Sequence, residues 1–231
     1  MKPGLLIRRA SRILALGLSV ALALLLSWAM FELPPPEVRL PEQVAARLAE
    51  TGVSHPVTAV LLDFRGYDTL LEVGVLLLAV IGVLATRADV RDGAEPMPEP
   101  VLLALARVTV PLMVVVAGFL LWAGAHRPGG AFQAGAVLAA AGVLLRLAGR
   151  LPAWATPGFV ARLGLAVGFL IFLIVAAGVM VGGVPLLDYP SDLAAGLILL
   201  VEAGLTISIA LTLAGLFLSA PAPGTNQEDE S

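Results

Sequence analysis

The chain contains no cysteine and only two histidines, His55 and His126. The first absence excludes disulfides, thioether haem attachment, thiolate-held iron–sulfur clusters and cysteine nucleophiles. No H-E-x-x-H or G-x-S-x-G motif occurs, and Ser191-Asp192 has no base nearby. A phosphate loop and a dinucleotide fingerprint are missing as well. These gaps argue against an enzyme, a bound cofactor or metal, and a nucleic-acid partner. Charge is scarce too, at 13% of the 231 residues. What remains is apolar: 59% of the chain is hydrophobic, more than one soluble core of this size can hide, so it must face lipid.

Crossing about 30 Å of hydrocarbon takes roughly 20 residues at helical rise. Six runs qualify, at about 12–31, 67–86, 106–125, 130–148, 162–184 and 193–218. The expected fold is an all-α integral membrane protein of six transmembrane helices. The first run follows Lys2, Arg8, Arg9 and Arg12 as a signal peptide would. Its uncharged stretch is longer than a signal core, however, and "FELPPPE" follows instead of a small-residue cleavage site, so a retained anchor is expected.

Orientation follows from lysine and arginine at the helix ends. With the N-terminus inside, the inner side collects Lys2, Arg8, Arg9, Arg12, Arg87, Arg91, Arg107, Arg146, Arg150 and Arg162. The outer side keeps Arg39, Arg47, Arg65 and Arg127. Both termini are therefore expected in the cytoplasm, with 32–66, 125–129 and 185–192 outside.

The segment 32–66 opens on Pro34-Pro35-Pro36, a stiff spacer. Val44 and Leu48 within "PEQVAARLAE" lie one turn apart among charged residues, which predicts a short surface helix. Between Arg87 and Pro100 the polar, proline-punctuated "RADVRDGAEPMPEP" reads as an inner linker. It divides a two-helix module, 1–86, from a four-helix module, 101–219. The residues 220–231 form an acidic tail whose composition predicts disorder.

Two acids fall well inside expected spans, where a charge near the centre costs about 2.5–3.5 kcal/mol and normally lines a protein interior or a water path. Glu72 lies two turns into the second helix, with Asp68 four residues earlier on the same face. Glu202 lies in the sixth, with Thr206 one turn below it. With the loop acids Asp188 and Asp192 they would make the outer mouth acidic and attractive to cations. Arg65 is the cation nearest to them in this reading, and in "DFRGYD" Asp63 and Arg65 can pair across Gly66.

A rigid, glycine-rich turn, "AHRPGGAFQAG", joins the third and fourth runs. Pro128 fixes one torsion, Gly129-Gly130 allow positive φ and close backbone approach, and Gly135 allows tight helix packing. Gln133 is an amide in the first turns of an apolar helix and should seek an interhelical hydrogen bond. With Phe132, the stretch "FLLWAGAHRPGGAFQAG" resembles the P-G-G-G-F-x-x-G signature of the B subunit of Mrp-type multisubunit cation/proton antiporters. It departs from it at Ala131, where the family has glycine, and at Ala125, where the family has histidine; His126 stands one step later. The stretch "VLLDFRGYDTLLEVGVLLLAVIGVLA", residues 60–85, is similar to the C-terminal segment of the antiporter A subunit, or to the small E-type subunit of membrane-bound hydrogenases.

Together the two resemblances cover about 57–218. They imply a fused, multi-pass subunit of a Na+/H+ antiporter in the bacterial cytoplasmic membrane. They also imply sister subunits and lipid as partners, Na+ and H+ as transported ions, and no cofactor. On this reading Glu72, Asp68, Glu202 and Thr206 contribute to a cation path. The alternatives are a passive scaffold, or the equivalent subunit of a Na+-translocating hydrogenase-like complex.

Overall fold

The computed structural model describes residues 3–33, 39–86, 99–150, 158–181, 183 and 185–219. Most of the expected linker and the whole acidic tail lie outside the described residues. Among those described, every regular element is helical. The chain divides into two compact units, Met1–Leu40 and Pro41–Ser231.

The first unit is built on α1, Pro3–Glu32, whose apolar span runs from Arg12 to Glu32. Two hydroxyls in this span bond back to the preceding turn, Ser19 to the Ala15 carbonyl at 2.9 Å and Ser27 to the Ala23 carbonyl at 2.8 Å. Each polar group is thereby satisfied within its own helix, as an apolar surrounding demands.

The second unit opens within α2, Leu40–Arg47, from Pro41 on, and continues into a single 3₁₀ turn, Leu48–Glu50. Val44 and Leu48 are half-buried while their neighbours are exposed, as their spacing predicts for a surface helix. A short helix, α3, Pro56–Ala59, runs directly into a π-helical turn, Val60–Phe64. The Arg65 N–H reaches back five residues to the Val60 carbonyl at 2.8 Å, which widens the turn, and at Arg65 the backbone leaves the helix with φ −130° and ψ 33°. The Thr69 hydroxyl then donates to the freed Leu61 carbonyl at 2.5 Å. From there α4, Gly66–Thr86, continues as the second apolar helix.

Four further helices follow: α5, Pro100–Ala123; α6, Ala131–Leu147; α7, Phe159–Val181; and α8, Ala194–Ser219. The helix expected from 106 starts earlier because Pro100 occupies its first turn, where a missing N–H costs nothing. Among the described residues, five helices are long and apolar enough to cross a membrane: α1, α4, α5, α7 and α8. The sixth expected span is shorter, since α6 holds 17 residues. Its ends have a physical cause: Gly130 has φ +108°, so the helix starts only at Ala131, and Gly149 at φ +61° stops it.

The core of this unit gathers around α8, which packs against α4, α5, α6 and α7. The buried residues of α6 are all small (Ala131, Ala134, Gly135, Ala139 and Ala141), so its backbone lies close against α8. The α7 contact adds Phe172, fully buried, and a hydrogen bond from the Ser208 hydroxyl to the Leu165 carbonyl.

Candidate functional site

The turn between α5 and α6 is closed by its own backbone. The Gly130 N–H donates to the Leu120 carbonyl at 2.9 Å, while the His126 and Arg127 N–H groups both return to Ala123, at 2.9 and 2.8 Å. A Cβ on Gly124 would stand 2.7 Å from the Gly130 Cα, and one on Gly129 would meet the Leu120 carbonyl. Gly130 carries a further constraint. Besides its positive φ, a Cβ there would lie 2.7 Å from Glu202 Oε1, so the glycines make room for a carboxylate as well as for the turn.

That carboxylate arrives from α8. Glu202 is 5% exposed, and the Ala131 N–H at the start of α6 donates to it. The first N–H groups of a helix have no partner within the helix and carry partial positive charge, so a carboxylate is the natural acceptor there. Glu202 thus caps α6 from another helix. Its other oxygen, Oε2, is buried with no hydrogen-bond partner. Thr206, expected beside it, is also buried, but its hydroxyl donates to the Glu202 backbone carbonyl at 2.8 Å and not to the carboxylate. Gly135 meets the same stretch of α8, where a Cβ would be 3.2 Å from the Thr206 carbonyl. Phe132 is half-buried against the core, Pro128 is exposed, and Gln133 is exposed rather than bonded between helices.

Asp68 and Glu72 share one face of α4, and it is the exposed face; Thr69, Val73 and Val80 point into the core instead. The structure therefore does not bring Glu72 to Glu202. Arg65 pairs with Asp68, three residues on, and both side chains are largely exposed. This replaces the pairing of Arg65 with Asp63 across Gly66.

Sequence reasoning missed the strap that holds the turn. The Ser54 and His55 N–H groups donate to the Ala125 carbonyl at 3.0 and 3.1 Å. The Thr58 hydroxyl donates to the Gly124 carbonyl at 2.5 Å. His126 Nδ1 meets the Ser54 hydroxyl at 3.0 Å, and its ring stands edge-on to Trp122 with centroids 6.4 Å apart. Only the polar residues of "VSHPVT" signalled it, and each is an ordinary loop residue in isolation.

A third segment joins at the same end of the unit. The loop 185–193 lays buried Leu187 on Gly66, and a Cβ on Gly52 would touch Ala194 at 2.8 Å. Asp63, half-buried beneath this loop, is pushed up to about 6 by desolvation and then by the neighbouring Asp188. Tyr189 is pushed up to about 12, again by burial first and then by Asp63. The Tyr189 hydroxyl is buried without a hydrogen-bond partner. Asp188 and Asp192 are exposed.

Comparison with known proteins agrees with the two resemblances. The family model described as a domain related to the MnhB subunit of Na+/H+ antiporter matches residues 101–219. The model for MbhE, the E-type component of MBH, matches residues 7–104. Among solved structures, a chain of the membrane-bound sulfane sulfur reductase (MBS), an archaeal respiratory membrane complex, is similar with a TM-score of 0.70 and 23% identity, over 91% of this chain and 97% of that one. A chain of the Mrp complex from Dietzia sp. DQ12-45-1b is similar with a TM-score of 0.62 and 22% identity, over 100% of this chain and 27% of that longer one. No curated protein matches.

Proposed function

We propose, from the premise that the chain belongs to the family of domains related to the MnhB subunit of Na+/H+ antiporters, joined to an E-type module, that it contributes acidic residues to a cation path in a multisubunit membrane complex. The host is read as a Na+/H+ antiporter in the bacterial cytoplasmic membrane, exchanging Na+ for H+. The observation that carries the reading is Glu72, a carboxylate on the exposed face of an apolar helix otherwise long enough to span lipid. An ionised group facing lipid costs about 2.5–3.5 kcal/mol near the centre. A sister subunit covering that face, with water or a cation at the joint, removes this cost. Asp68, on the same face, extends the polar line toward the helix end.

Glu202 and Thr206 lie inside the chain, and the unpartnered Oε2 is the atom of that pair free to take a proton or an ion. Six crossings with both termini inside remain our reading of the topology. It is supported by the grouping of the strap, the turn and the loop 185–193 at one end of the second unit, while Arg107, Arg146 and Arg162 stand near the opposite ends of their helices.

The test is cation/proton exchange by the assembled complex in membrane vesicles carrying Glu72→Gln. Exchange is expected to fall by about tenfold or more with assembly intact. Wild-type exchange would refute the path. A scaffold role is the second reading, and the Ala131 N–H bond to Glu202 favours it for that residue, because a carboxylate tied to a helix start is also a packing device.

A further inference from the structure

The end of the second unit that carries the strap also holds a group of oxygens that the proposed path does not use. Asp63 comes from the π-helical turn and Asp188 with Tyr189 from the loop 185–193. The two segments are packed together: Leu62, Leu187, Tyr189 and Val53 belong to one buried cluster, and Leu187 rests on Gly66. Asp63 is thereby held half-buried beside a second carboxylate. The independent sign of a ligand is Tyr189. Its side chain is 5% exposed, its hydroxyl has no hydrogen-bond partner, and it lies close enough to Asp63 for their charges to interact. A buried hydroxyl left unpaired costs about 1–3 kcal/mol unless something else coordinates it.

We propose that Asp63, Asp188 and Tyr189 form a binding site for one small monovalent cation of the sodium type, held by oxygen ligands and competing with a proton for Asp63.

Hard cations prefer carboxylate, hydroxyl and water oxygens; this set offers the first two, and exposed Asp188 leaves the site open to solvent for the third. One charge is the right complement. Asp188 is screened by water, so Asp63 is the one carboxylate of the pair whose burial calls for neutralisation. A proton or a cation can supply it, but not both at once, and the unpartnered Tyr189 hydroxyl has a lone pair to offer the ion.

Other titratable groups on the packed elements are otherwise placed. Arg65 is engaged by Asp68, and His55 lies against Thr58 at 3.4 Å. Tyr67 and Glu72 are exposed on α4, Asp192 is exposed on the loop, and Glu202 of α8 is turned to the start of α6; the one charged residue of α7, Arg162, is at its first turn. The binding site stands on the packing of these two segments and on the buried, unpartnered Tyr189 hydroxyl, while any part it plays in transport rests on the reading above.

The experiment is equilibrium binding of radioactive sodium to the full chain, purified with its associated subunits. A saturable component is expected whose apparent Kd rises about tenfold per pH unit below about 6. Asp63→Asn and Asp188→Asn are each expected to weaken it about tenfold or more, and Tyr189→Phe about threefold to tenfold. Asp188 is exposed, so its variant does not depend on core packing. An unchanged component in Asp188→Asn overturns the site. So does binding indifferent to pH, or calcium displacing sodium at far lower concentration. If Glu72→Gln leaves exchange intact while Asp63→Asn abolishes sodium binding, the transport reading fails and this site stands. Exchange lost in the first with binding untouched in the second means that the path stands and this site fails.

Discussion

The backbone N–H of Ala131 donates to the carboxylate of Glu202, so the first turn of one helix is completed by a side chain from another. This single contact explains the composition of the turn. Gly124 and Gly130 lie under the carboxylate, where Cβ atoms would stand 3.3 and 2.7 Å from Oε1. The glycine-rich sequence is therefore a cradle for Glu202 as well as a reversal of chain direction.

Gly130→Ala should be among the most damaging small substitutions. The residue must hold φ +108° and its new methyl must displace Glu202. A loss of about 2–3 kcal/mol is expected, read as a lowered midpoint of thermal unfolding in detergent. Adding Glu202→Ala should recover only part of it, because the clash goes while the strained torsion stays. Complete recovery would show that the backbone tolerates alanine there.

At Glu202 itself, two substitutions separate capping from ion handling. Glu202→Gln keeps an oxygen for the Ala131 N–H and should assemble normally, yet lower cation/proton exchange. Glu202→Leu leaves that N–H buried and unpaired and should cost about 1–3 kcal/mol of stability. Normal exchange by the glutamine variant would assign the residue to packing alone.

Asp63 makes stability fall with rising pH. Its folded value of about 6 lies above the ordinary 3.8, so the folded chain binds the proton more tightly than the unfolded one. The contribution is full below 3.8, declines between there and about 6, and is gone above. Melting temperature measured across this window should slope downward in the wild type and lose that part of the slope in Asp63→Asn. Parallel profiles would place Asp63 in ordinary solvent.

The strap predicts a graded pair. Thr58 is buried and its hydroxyl holds the Gly124 carbonyl, whereas Ser54 is exposed. Thr58→Val should cost about 1 kcal/mol and Ser54→Ala close to nothing, by thermal unfolding of each variant. Equal effects would mean that the backbone bonds to Ala125 hold the strap unaided.

Much of this molecule is written locally. Runs of apolar residues determine the helices, because roughly 20 such residues in a row have few stable places other than a bilayer. Pro128 with Gly129 and Gly130 determines the hairpin, and Val44 and Leu48 determine the buried side of a surface helix, since each depends only on nearby torsions or spacing. The length of α6 was less legible, because it hangs on the positive φ of Gly130 and Gly149. Which way each membrane helix turns about its axis was decided by tertiary structure alone. Core-facing and lipid-facing sides are both apolar, so periodicity carries no direction there. Only packing could put Glu72 outward and Glu202 against Ala131, pair Arg65 with Asp68, and seat Asp63 beside Asp188 and Tyr189.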